Sequence, residues 1–400
     1  MLSSLPLLPP ALYTHWGMTA QEILRYFENR STHFLDLLEQ MVLLDTPTGD
    51  LEASRKFTDF YRRELESCGV QCREIQTASG VHLVGDWRAD GADETRAPEV
   101  TISAHSDTVW PRGESTRRPP VLLDGRFHGP GVYDMRGGLM LALALFSFLR
   151  DHKAETRRSF RIFVGADEER GSIEARPLME REVPQESIVL VPEPPSEDAG
   201  MKVKRKGVGI YELETHGLAA HAGLGPGKGV SAIEELLEQI AVVHSLRDEE
   251  RGVTINVGRI EGGVASNVIA DHASAAIDVR FERLEDGKAV DQALKTLQPQ
   301  IEGASLELTG GIAFPPMVPG ERSLALAEKA IKLARGLGES MTTAESGGGS
   351  DGSYLSSLGC AVLDGLGLDG AGAHSLDEHV IVERIPFRAA FLTSLALELE

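Results

Sequence analysis

The sequence is poor in cysteine, and its three cysteines, Cys68, Cys72 and Cys360, cannot all pair with one another. None of them belongs to a zinc-finger set of spaced ligands. We therefore interpret them as reduced structural thiols, which is typical of a cytoplasmic protein. Secretion or a periplasmic location is a second possibility that the cysteine count leaves open.

Basic residues are also scarce relative to acidic ones. The chain has 61 Asp and Glu against 40 Lys and Arg, a formal net charge of −21 at pH 7. Because nucleic acids and anionic membranes are bound through basic surfaces, neither is expected as a partner. No apolar run approaches the roughly 18 residues of a membrane span. Residues 1–17 lack the positive region of a signal peptide and contain a proline pair, so we interpret them as a short extension.

The length and the hydrophobic patterns predict two domains. Four hundred residues are too many for one small core, and 42% hydrophobic with 25% charged residues is typical of a soluble globular enzyme. Helical and strand patterns alternate up to about residue 200, as in α/β folds. The order β-α-β-β-α-β, that of a ferredoxin-like unit, occupies residues 203–310. We predict a larger discontinuous domain, residues 1–200 and 312–400, that carries an inserted domain, residues 203–310.

The segment VGADEERGS places Asp167, Glu168 and Glu169 side by side. It follows RSFRIFV, whose alternation of apolar and polar residues predicts a half-buried strand. An isolated acidic run is more often a solvated loop. The alternative is a bound cation, because successive residues of a strand point to opposite sides and so two neighbouring glutamates can serve two roles at one site.

Histidine and carboxylate residues recur just beyond the predicted strands or just before the apolar helix of the larger domain. Ligands of open α/β sheets bind outside the carboxyl ends of the strands, so we expect these side chains at one edge of the sheet. Two histidines and three of the five carboxylates in this set would provide ligands suited to zinc, and one shared carboxylate would allow them to hold two ions. The residues are His105 and Asp107 after PEVTISA, Asp134 in GVYDMRGG, Glu168 and Glu169 after SFRIFVGA, Glu193 after ESIVLVP and His374 beyond CAVLDGL.

Five linked motifs carry a resemblance to a known family: AHSDTV, GPGVYDMRGG, ADEERGS, PEPP and AHSLDEH, with the inserted domain between the last two. In this order they resemble the zinc-dependent amidohydrolases and peptidases that include glutamate carboxypeptidase, acetylornithine deacetylase, succinyl-diaminopimelate desuccinylase and the aminoacylases. RKGVG, HGLAAHAG, GGVASNVIAD, DVRFE and SGGGSDG resemble the glutamate carboxypeptidase branch most. The resemblance implies an α/β zinc-peptidase-like catalytic domain, with a central mixed sheet flanked by helices, and an inserted ferredoxin-like α+β domain that forms a lid and a dimer contact.

The same resemblance implies the roles of the residues in the larger domain. Asp134 would bridge two Zn²⁺ ions per chain, with Co²⁺ or Mn²⁺ as alternatives, and a cis peptide would follow it. Glu168 would be the general base, and Asp107 would orient a metal-binding histidine. The remaining ligands would be His105 and Glu193 for one ion, and Glu169 and His374 for the other.

For the inserted domain and the glycine-rich loop the resemblance implies substrate contacts. His221 would reach the active site of a partner subunit in a homodimer, and Asn267 and Arg280 would bind the α-carboxylate of the substrate. The implied reaction releases a C-terminal amino acid, with glutamate favoured, from a small peptide or an N-acyl amino acid. Three consecutive glycines of SGGGSDG would add backbone N–H donors to the carboxylate site: Gly347, Gly348 and Gly349.

Other functions fit parts of the sequence. An N-acyl-amino-acid deacylase and a dipeptidase are alternatives within the same family. A serine hydrolase would use Ser350 of GGSDG with Asp369 and His374, but TAESGG does not have the pattern of the strand that should precede such a nucleophile. A non-catalytic binding protein would be expected to lack ligands or the base, whereas all five ligands and Glu168 are present.

Overall fold

The computed structural model describes residues 18–93, 96–152, 158–224 and 227–399; the extension interpreted at residues 1–17 lies outside them. The chain forms two compact units. The first contains Met1–Lys204, Val318–Glu345 and Tyr354–Glu400, and the second contains Arg205–Met317 and Ser346–Ser353. Residues 312–317 and 346–353 thus group with the second unit, whereas the sequence assigned them to the larger domain.

The helices and strands occur in one continuous order along the chain. The helices are α1 (Ala20–Glu28), α2 (Ser31–Val42), α3 (Leu51–Ser67), α4 (Glu114–Arg117), α5 (Gly137–His152), α6 (Arg176–Glu182), α7 (Ala232–Ser245), α8 (Leu284–Lys295), α9 (Glu321–Gly336), α10 (Asp351–Ser357) and α11 (Ile385–Leu397). The strands are β1 (Gln71–Gln76), β2 (Val81–Trp87), β3 (Val100–His105), β4 (Val121–Leu123), β5 (Arg126–His128), β6 (Phe160–Gly165), β7 (Ile188–Leu190), β8 (Met201–Arg205), β9 (Gly207–His216), β10 (Ala220–His221), β11 (Thr254–Gly262), β12 (Val268–Ile269), β13 (His272–Phe281), β14 (Ser305–Phe314), β15 (Thr343–Ser346), β16 (Ala361–Leu363), β17 (Gly370–Ala371) and β18 (His379–Ile381).

A mixed six-stranded sheet forms the centre of the first unit, in the order β1-β2-β6-β3-β7-β16. The four strands β6, β3, β7 and β16 run parallel to one another. At one edge β2 pairs antiparallel with β6, and β1 pairs antiparallel with β2. Parallel strands are typically buried on both faces, and all residues of β3 and β6 are buried, including the polar residues Thr101 and Ser103. The predicted α/β fold with a central mixed sheet is confirmed. A smaller sheet in the same unit has the order β17-β18-β5-β4.

Strand β6 differs from its predicted half-buried state, because all six of its residues are buried. The polar residue that gave the alternation, Arg161, is enclosed beside β2. Its Nε and Nη2 donate to the two carboxylate oxygens of Asp86 at 2.7 and 2.8 Å. Because its guanidinium is paired with Asp86, Arg161 can be buried at a position where the sequence pattern predicted exposure to solvent.

Helix α5 is a strongly apolar element of the first unit. The stretch Val132–His152, which includes it, is long and apolar enough to cross a membrane, so the expectation that no such run exists was wrong. Of the most apolar 18-residue window in this stretch, 94% is buried inside the protein. Its hydrophobic side chains belong to the large core cluster, as expected for a helix buried against a sheet.

The segment from Ala20 to Val42 forms two helices rather than one. Helix α1 begins after Thr19, whose hydroxyl accepts from the Glu22 N–H at 3.2 Å while the Glu22 carboxylate accepts from the Thr19 N–H at 2.7 Å. It ends at Glu28 and is followed by Asn29, a residue of low helix propensity, and α2 starts after Arg30.

The second unit is a four-stranded antiparallel sheet with the order β11-β13-β9-β14. Helices α7 and α8 lie against it and enclose a separate hydrophobic core that includes Leu213, Leu236 and Ile277. Helix α7 begins after Ser231, whose hydroxyl accepts from the Glu234 N–H at 3.2 Å. Sequence order and strand order both correspond to the ferredoxin-like unit.

Candidate metal centre

Three neighbouring parallel strands bring four of the predicted site residues to one edge of the large sheet. Strand β3 lies between β6 and β7 and is parallel to both. His105 is the last residue of β3, Glu168 and Glu169 begin a short 3₁₀ turn after β6, and Glu193 follows β7. The carboxyl ends of these strands therefore place the four side chains around one crevice.

Asp134 reaches this crevice from the turn that precedes α5. Its peptide bond to Met135 is cis, as the resemblance implied. The motif GPGVYDMRGG ends in two glycines, and the second, Gly138, is needed for steric reasons. A Cβ atom at this position would overlap the carbonyl oxygen of Pro192. Only glycine allows α5 to start this close to the segment that leads to Glu193.

His374 lies in the segment between β17 and β18, beside the smaller sheet rather than beyond a strand of the large one. Its backbone is left-handed, with φ 61°. For a residue other than glycine this conformation is uncommon, and it is found where surrounding structure holds a functional side chain in place.

Two groups of three potential ligands share Asp134. In the first group, His105 Nε2 lies 3.2 Å from Asp134 Oδ1 and 3.3 Å from Glu193 Oε1. In the second, His374 Nε2 lies 3.4 Å from Asp134 Oδ2 and 3.1 Å from Glu169 Oε2. Within each group the ligand atoms lie within 4.8 Å of one another. Because each histidine faces a different oxygen of Asp134, this carboxylate is placed to bridge two ions.

Asp107 fixes the orientation of three residues around the site. Its Oδ1 accepts from the Glu168 N–H and its Oδ2 from the Glu169 N–H, both at 3.1 Å. His105 Nδ1 lies 3.0 Å from the Asp107 carbonyl oxygen and 3.4 Å from Oδ1, so the carbonyl is the nearer acceptor for its N–H. With the proton on Nδ1, the lone pair of Nε2 faces the crevice, as a metal ligand requires.

The charges of the first group favour a cation. Burial raises the pKa of Glu193, and the neighbouring Asp134 adds to this effect. Burial disfavours the charged form of His105, but hydrogen bonds to Asp107, Asp134 and Glu193 prevail and raise its pKa well above the usual range. The buried carboxylates around His105 thus stabilise positive charge at the position where a metal ion would be held.

The second group behaves in the same way. Hydrogen bonds to Asp134 and Glu169 raise the pKa of His374 to about 10. Burial raises the pKa of Glu169 to about 7. The Oε1 atom of Glu169 is buried and has no hydrogen-bond partner among the described residues, although a carboxylate oxygen normally has one. A buried carboxylate with an unused oxygen next to a histidine nitrogen fits a divalent ion with N and O ligands.

Glu378 is a residue of the site that sequence reasoning missed. Its carboxylate accepts from the backbone N–H groups of Gly131 at 2.7 Å and of Tyr133 and Asp134 at 3.0 Å, and from the Trp110 indole N–H at 3.0 Å. Glu378 thereby connects the segment of His374 to the turn of Asp134. The only sequence signal was its position in AHSLDEH, four residues after the ligand histidine.

The second unit contains the residues that the sequence assigned to the substrate. Arg280 Nε and Nη2 donate to Asp278 at 2.7 and 2.6 Å, and its Nη1 donates to the Gly347 carbonyl at 3.1 Å. His221 is exposed, and the Ala222 N–H that follows it donates to the Asn267 carbonyl at 3.0 Å. The structure thus brings Arg280 to the glycine-rich loop and His221 to Asn267.

The glycine-rich loop differs from its prediction at Gly348. The Gly348 N–H donates to Ser346 Oγ at 3.2 Å, so it is already engaged within the loop, whereas the resemblance implied that it is a donor for substrate. Its carbonyl and that of Gly349 accept from Arg205 Nη1 at 3.1 and 3.2 Å. The physical reason is the turn after β15, which brings the peptide N–H back to a serine hydroxyl two residues earlier. Gly348 therefore contributes to the shape of the loop rather than a free N–H group.

The contacts of Asp369 and His374 do not form a serine-hydrolase triad. TAES is strand β15, contrary to the prediction that no strand precedes Ser350. However, Asp369 accepts from Arg384 Nε at 2.7 Å and from Arg388 Nε at 2.9 Å, and His374 Nε2 faces Asp134 and Glu169. Ser350 itself is buried, with 1% of its surface exposed.

The α/β fold and the two groups of potential ligands that share Asp134 define a metal-dependent hydrolase. Residues 101–398 match the model of the peptidase family M20/M25/M40, and the chain belongs to this family. It is 28% identical over 373 residues to carboxypeptidase G2 of Pseudomonas sp., covering 90% of this chain and 88% of that protein. It is 25% identical over 372 residues to a succinyl-diaminopimelate desuccinylase of Delftia acidovorans, covering 88% of this chain and 94% of that protein.

Solved structures show the same fold. An M20 family metallo-carboxypeptidase from Sulfolobus solfataricus superimposes with a TM-score of 0.71 at 16% identity, covering 92% of this chain and 98% of that one. Aminopeptidase PepT from Bacillus cereus gives a TM-score of 0.70 at 21% identity, with the same coverage. At these identities the likeness extends to the fold alone.

Proposed function

We propose that this chain is a dinuclear zinc amidohydrolase that releases a C-terminal amino acid, with glutamate favoured, from a peptidyl or N-acyl substrate. The observation that carries the proposal is the sharing of Asp134 by two histidine–carboxylate groups. His105 and Glu193 would hold one ion, and Glu169 and His374 the other. Co²⁺ and Mn²⁺ are alternatives with the same preference for N and O ligands.

When bound, a pair of divalent ions polarises the amide carbonyl and acidifies water. Glu168 is the residue of this chain that would move the proton. Its backbone N–H is held by Asp107, and it is adjacent in sequence to the ligand Glu169. In this proposal a carboxylate oxygen of Glu168 accepts a proton from the attacking water and delivers it to the amide nitrogen as the C–N bond breaks.

Arg280 is our candidate for binding the free carboxylate of the leaving amino acid. Asp278 holds the guanidinium through two hydrogen bonds, and this fixes its plane before a substrate arrives. Asn267 and the N–H groups of Gly347 and Gly349 would complete the carboxylate site. The preference for glutamate rests on the resemblance to glutamate carboxypeptidases.

We further propose a homodimer formed through the second unit, in which His221 donates a hydrogen bond to the oxyanion in the partner's active site. Strand β11 is an edge strand of its sheet, and Ile260 on it is 57% exposed. Helix α7 also presents exposed Ile233, Leu237 and Val242. An unpaired edge beside exposed apolar side chains is typical of a surface that another chain covers.

The location is proposed to be cytoplasmic. Cys68, Cys72 and Cys360 are all free thiols in the structure, as the sequence analysis predicted. Burial raises the pKa of the Cys72 thiol to about 12, and thiols of this kind are poorly reactive.

An N-acyl-amino-acid deacylase is the second candidate. The similarity to a succinyl-diaminopimelate desuccinylase over most of both chains favours it, because that name describes the removal of an acyl group from an amine. The two functions differ in the part of the substrate that decides turnover: the leaving amino acid or the acyl chain.

The experiment that tests the proposal measures amino-acid release from dipeptides, N-acyl amino acids and acyl-glutamates. Zinc-loaded and chelated enzyme would be compared, together with Glu168→Gln and the exposed control Glu186→Gln. We expect release only from the metal-loaded enzyme, a loss of about 10²–10⁴-fold in kcat for Glu168→Gln, and normal rates for Glu186→Gln. Activity that survives chelation and disappears in Ser350→Ala would overturn it.

A further inference from the structure

A third cluster of potential ligands lies outside the dinuclear centre. His128 ends β5, His379 begins β18, and the two are direct partners across the antiparallel pair of strands. Their ring centroids are 5.0 Å apart. With Asp377 they offer two nitrogens and one carboxylate oxygen, all within 4.8 Å of one another.

The protonation of His379 suits metal binding. Its Nδ1 lies 2.7 Å from the carbonyl oxygen of Asp377, so the proton is on Nδ1. The residue is buried, with only 6% of its surface exposed, and within the described residues Nε2 has no hydrogen-bond partner. A backbone carbonyl that accepts the N–H of one nitrogen while the other stays available is the arrangement found for histidine ligands of metals.

The distances allow an ion to bind with small side-chain rotations. Ligand atoms around a tetrahedral Zn²⁺ are roughly 3.3 Å apart, given Zn–N and Zn–O lengths near 2.0–2.1 Å. His128 Nδ1 and Asp377 Oδ1 are 3.8 Å apart. The Asp377 side chain is 79% exposed, so a hydrated ion can reach the cluster from solvent and keep water in its remaining positions.

A comparable histidine pair in the second unit lacks this convergence. His216 and His272 are also direct partners on antiparallel strands, with ring centroids 5.3 Å apart and Glu214 beside both. Among the described residues, however, His216, His272 and Glu214 do not form a group whose three ligand atoms all lie within 4.8 Å of one another. A cross-strand histidine pair alone is therefore not the distinguishing feature, and His216 supplies a matched control.

We propose that His128, Asp377 and His379 form a third metal site, for a divalent transition-metal ion such as Zn²⁺. The site is separate from the dinuclear centre but linked to it through the chain. Asp377 stands between His374, a ligand of that centre, and Glu378, which holds the Asp134 turn. An ion bound to Asp377 and to both strands would restrain the segment that carries His374.

Equilibrium dialysis of the untagged full chain against micromolar free Zn²⁺, followed by elemental analysis, tests the proposal. We expect three ions per chain for the wild type and for His216→Gln. His128→Gln and Asp377→Asn should bind two, and the exposure of Asp377 makes the second variant safe for folding. A wild type that saturates at two ions, or a third ion retained by both variants, would overturn the site.

The same measurement separates this site from the proposed function. If the dinuclear centre bound no metal, the wild type would hold one ion and His128→Gln none, and the third site would stand alone. Hydrogen exchange over residues 370–378 tests the restraint. Saturating Zn²⁺ should slow hydrogen exchange in this segment more in the wild type than in His128→Gln. If Zn²⁺ slowed the exchange equally in both proteins, the restraint would be contradicted.

Discussion

The carboxylate of Glu378 accepts a 3.0 Å hydrogen bond from the backbone N–H of Asp134, the residue shared by the two ligand groups. Two further N–H groups of the same turn and the Trp110 indole donate to this carboxylate as well. Burial raises the pKa of Glu378, while these hydrogen bonds oppose the rise. Glu378 is thus an acceptor for four donors at the turn that positions Asp134.

Replacement of Glu378 by glutamine should weaken metal binding about 10–100-fold and lower activity in proportion at limiting metal. Glutamine has one oxygen, so its NH₂ group must face N–H donors that the carboxylate now accepts. Metal affinity measured by chelator competition checks this. The exposed Glu383→Gln on the adjoining turn is the control, and unchanged affinity in Glu378→Gln would contradict the role.

Asp107→Asn should reduce metal affinity to a similar extent, with a loss of catalysis at saturating metal. Both oxygens of Asp107 accept backbone N–H groups, those of Glu168 and Glu169, so either orientation of an asparagine brings NH₂ against N–H. Thr48→Val removes a single 2.8 Å bond to the same carboxylate and should have a smaller effect. Chelator competition and kcat at saturating Zn²⁺ distinguish the two variants. If Thr48→Val lost as much metal affinity and kcat as Asp107→Asn, Asp107 would not act through the N–H groups of Glu168 and Glu169.

Arg136→Met should lower the free energy of unfolding by about 2–4 kcal/mol. Arg136 is buried, donates to the carbonyls of Ser106 at 2.9 Å and Leu44 at 3.1 Å, and lies over the Phe57 ring at 3.8 Å. Burial lowers its pKa to about 9. Methionine would leave both carbonyls without this donor.

Urea unfolding at constant metal occupancy measures the effect of Arg136. Arg136→Lys, which keeps the charge and a donor, should lose less unfolding free energy than Arg136→Met. The exposed Arg25→Met should change stability little. A methionine variant as stable as the wild type would show that the carbonyls find other donors.

His82 should make the protein less stable as the pH falls. Burial lowers its pKa to about 4, below the value near 6.5 of an unfolded chain. The unfolded state then binds the additional proton, so the contribution of His82 is complete above about pH 6.5 and is lost progressively towards pH 4. His82→Asn should flatten the dependence of unfolding free energy on pH in this window, whereas the exposed His33→Asn should leave it unchanged. Parallel curves for wild type and His82→Asn would contradict the assignment.

Periodicity and motif order predicted most of the scaffold, because β3, β6, β7 and α5 are governed by local apolar patterns. They did not predict the burial of Arg161, since a pattern cannot show that Asp86 lies beside it. Glu378 was missed for the same reason: its acceptor role depends on backbone N–H groups of Gly131 and Tyr133, far away in sequence. Such contacts between loops leave no periodic trace along the chain.

The error at Gly348 has a different origin, because its partner is only two residues away. A run of three glycines indicates a loop whose N–H groups lie close to the surface, but it does not specify the direction of each peptide plane. That direction is set by Ser346, whose hydroxyl takes the Gly348 N–H. The sequence therefore predicted the loop, and only the structure assigns its donors.

The order of the site residues along the chain also has a consequence for synthesis. His105, Asp134, Glu169 and Glu193 all precede the second unit, whereas His374 follows it. A nascent chain would therefore contain one set of three potential ligands before His374 is made. Glu378, which holds the Asp134 turn, also follows the second unit. We therefore expect neither set to take its final geometry until the C-terminal segment of the first unit has left the ribosome and folded back onto the rest of that unit.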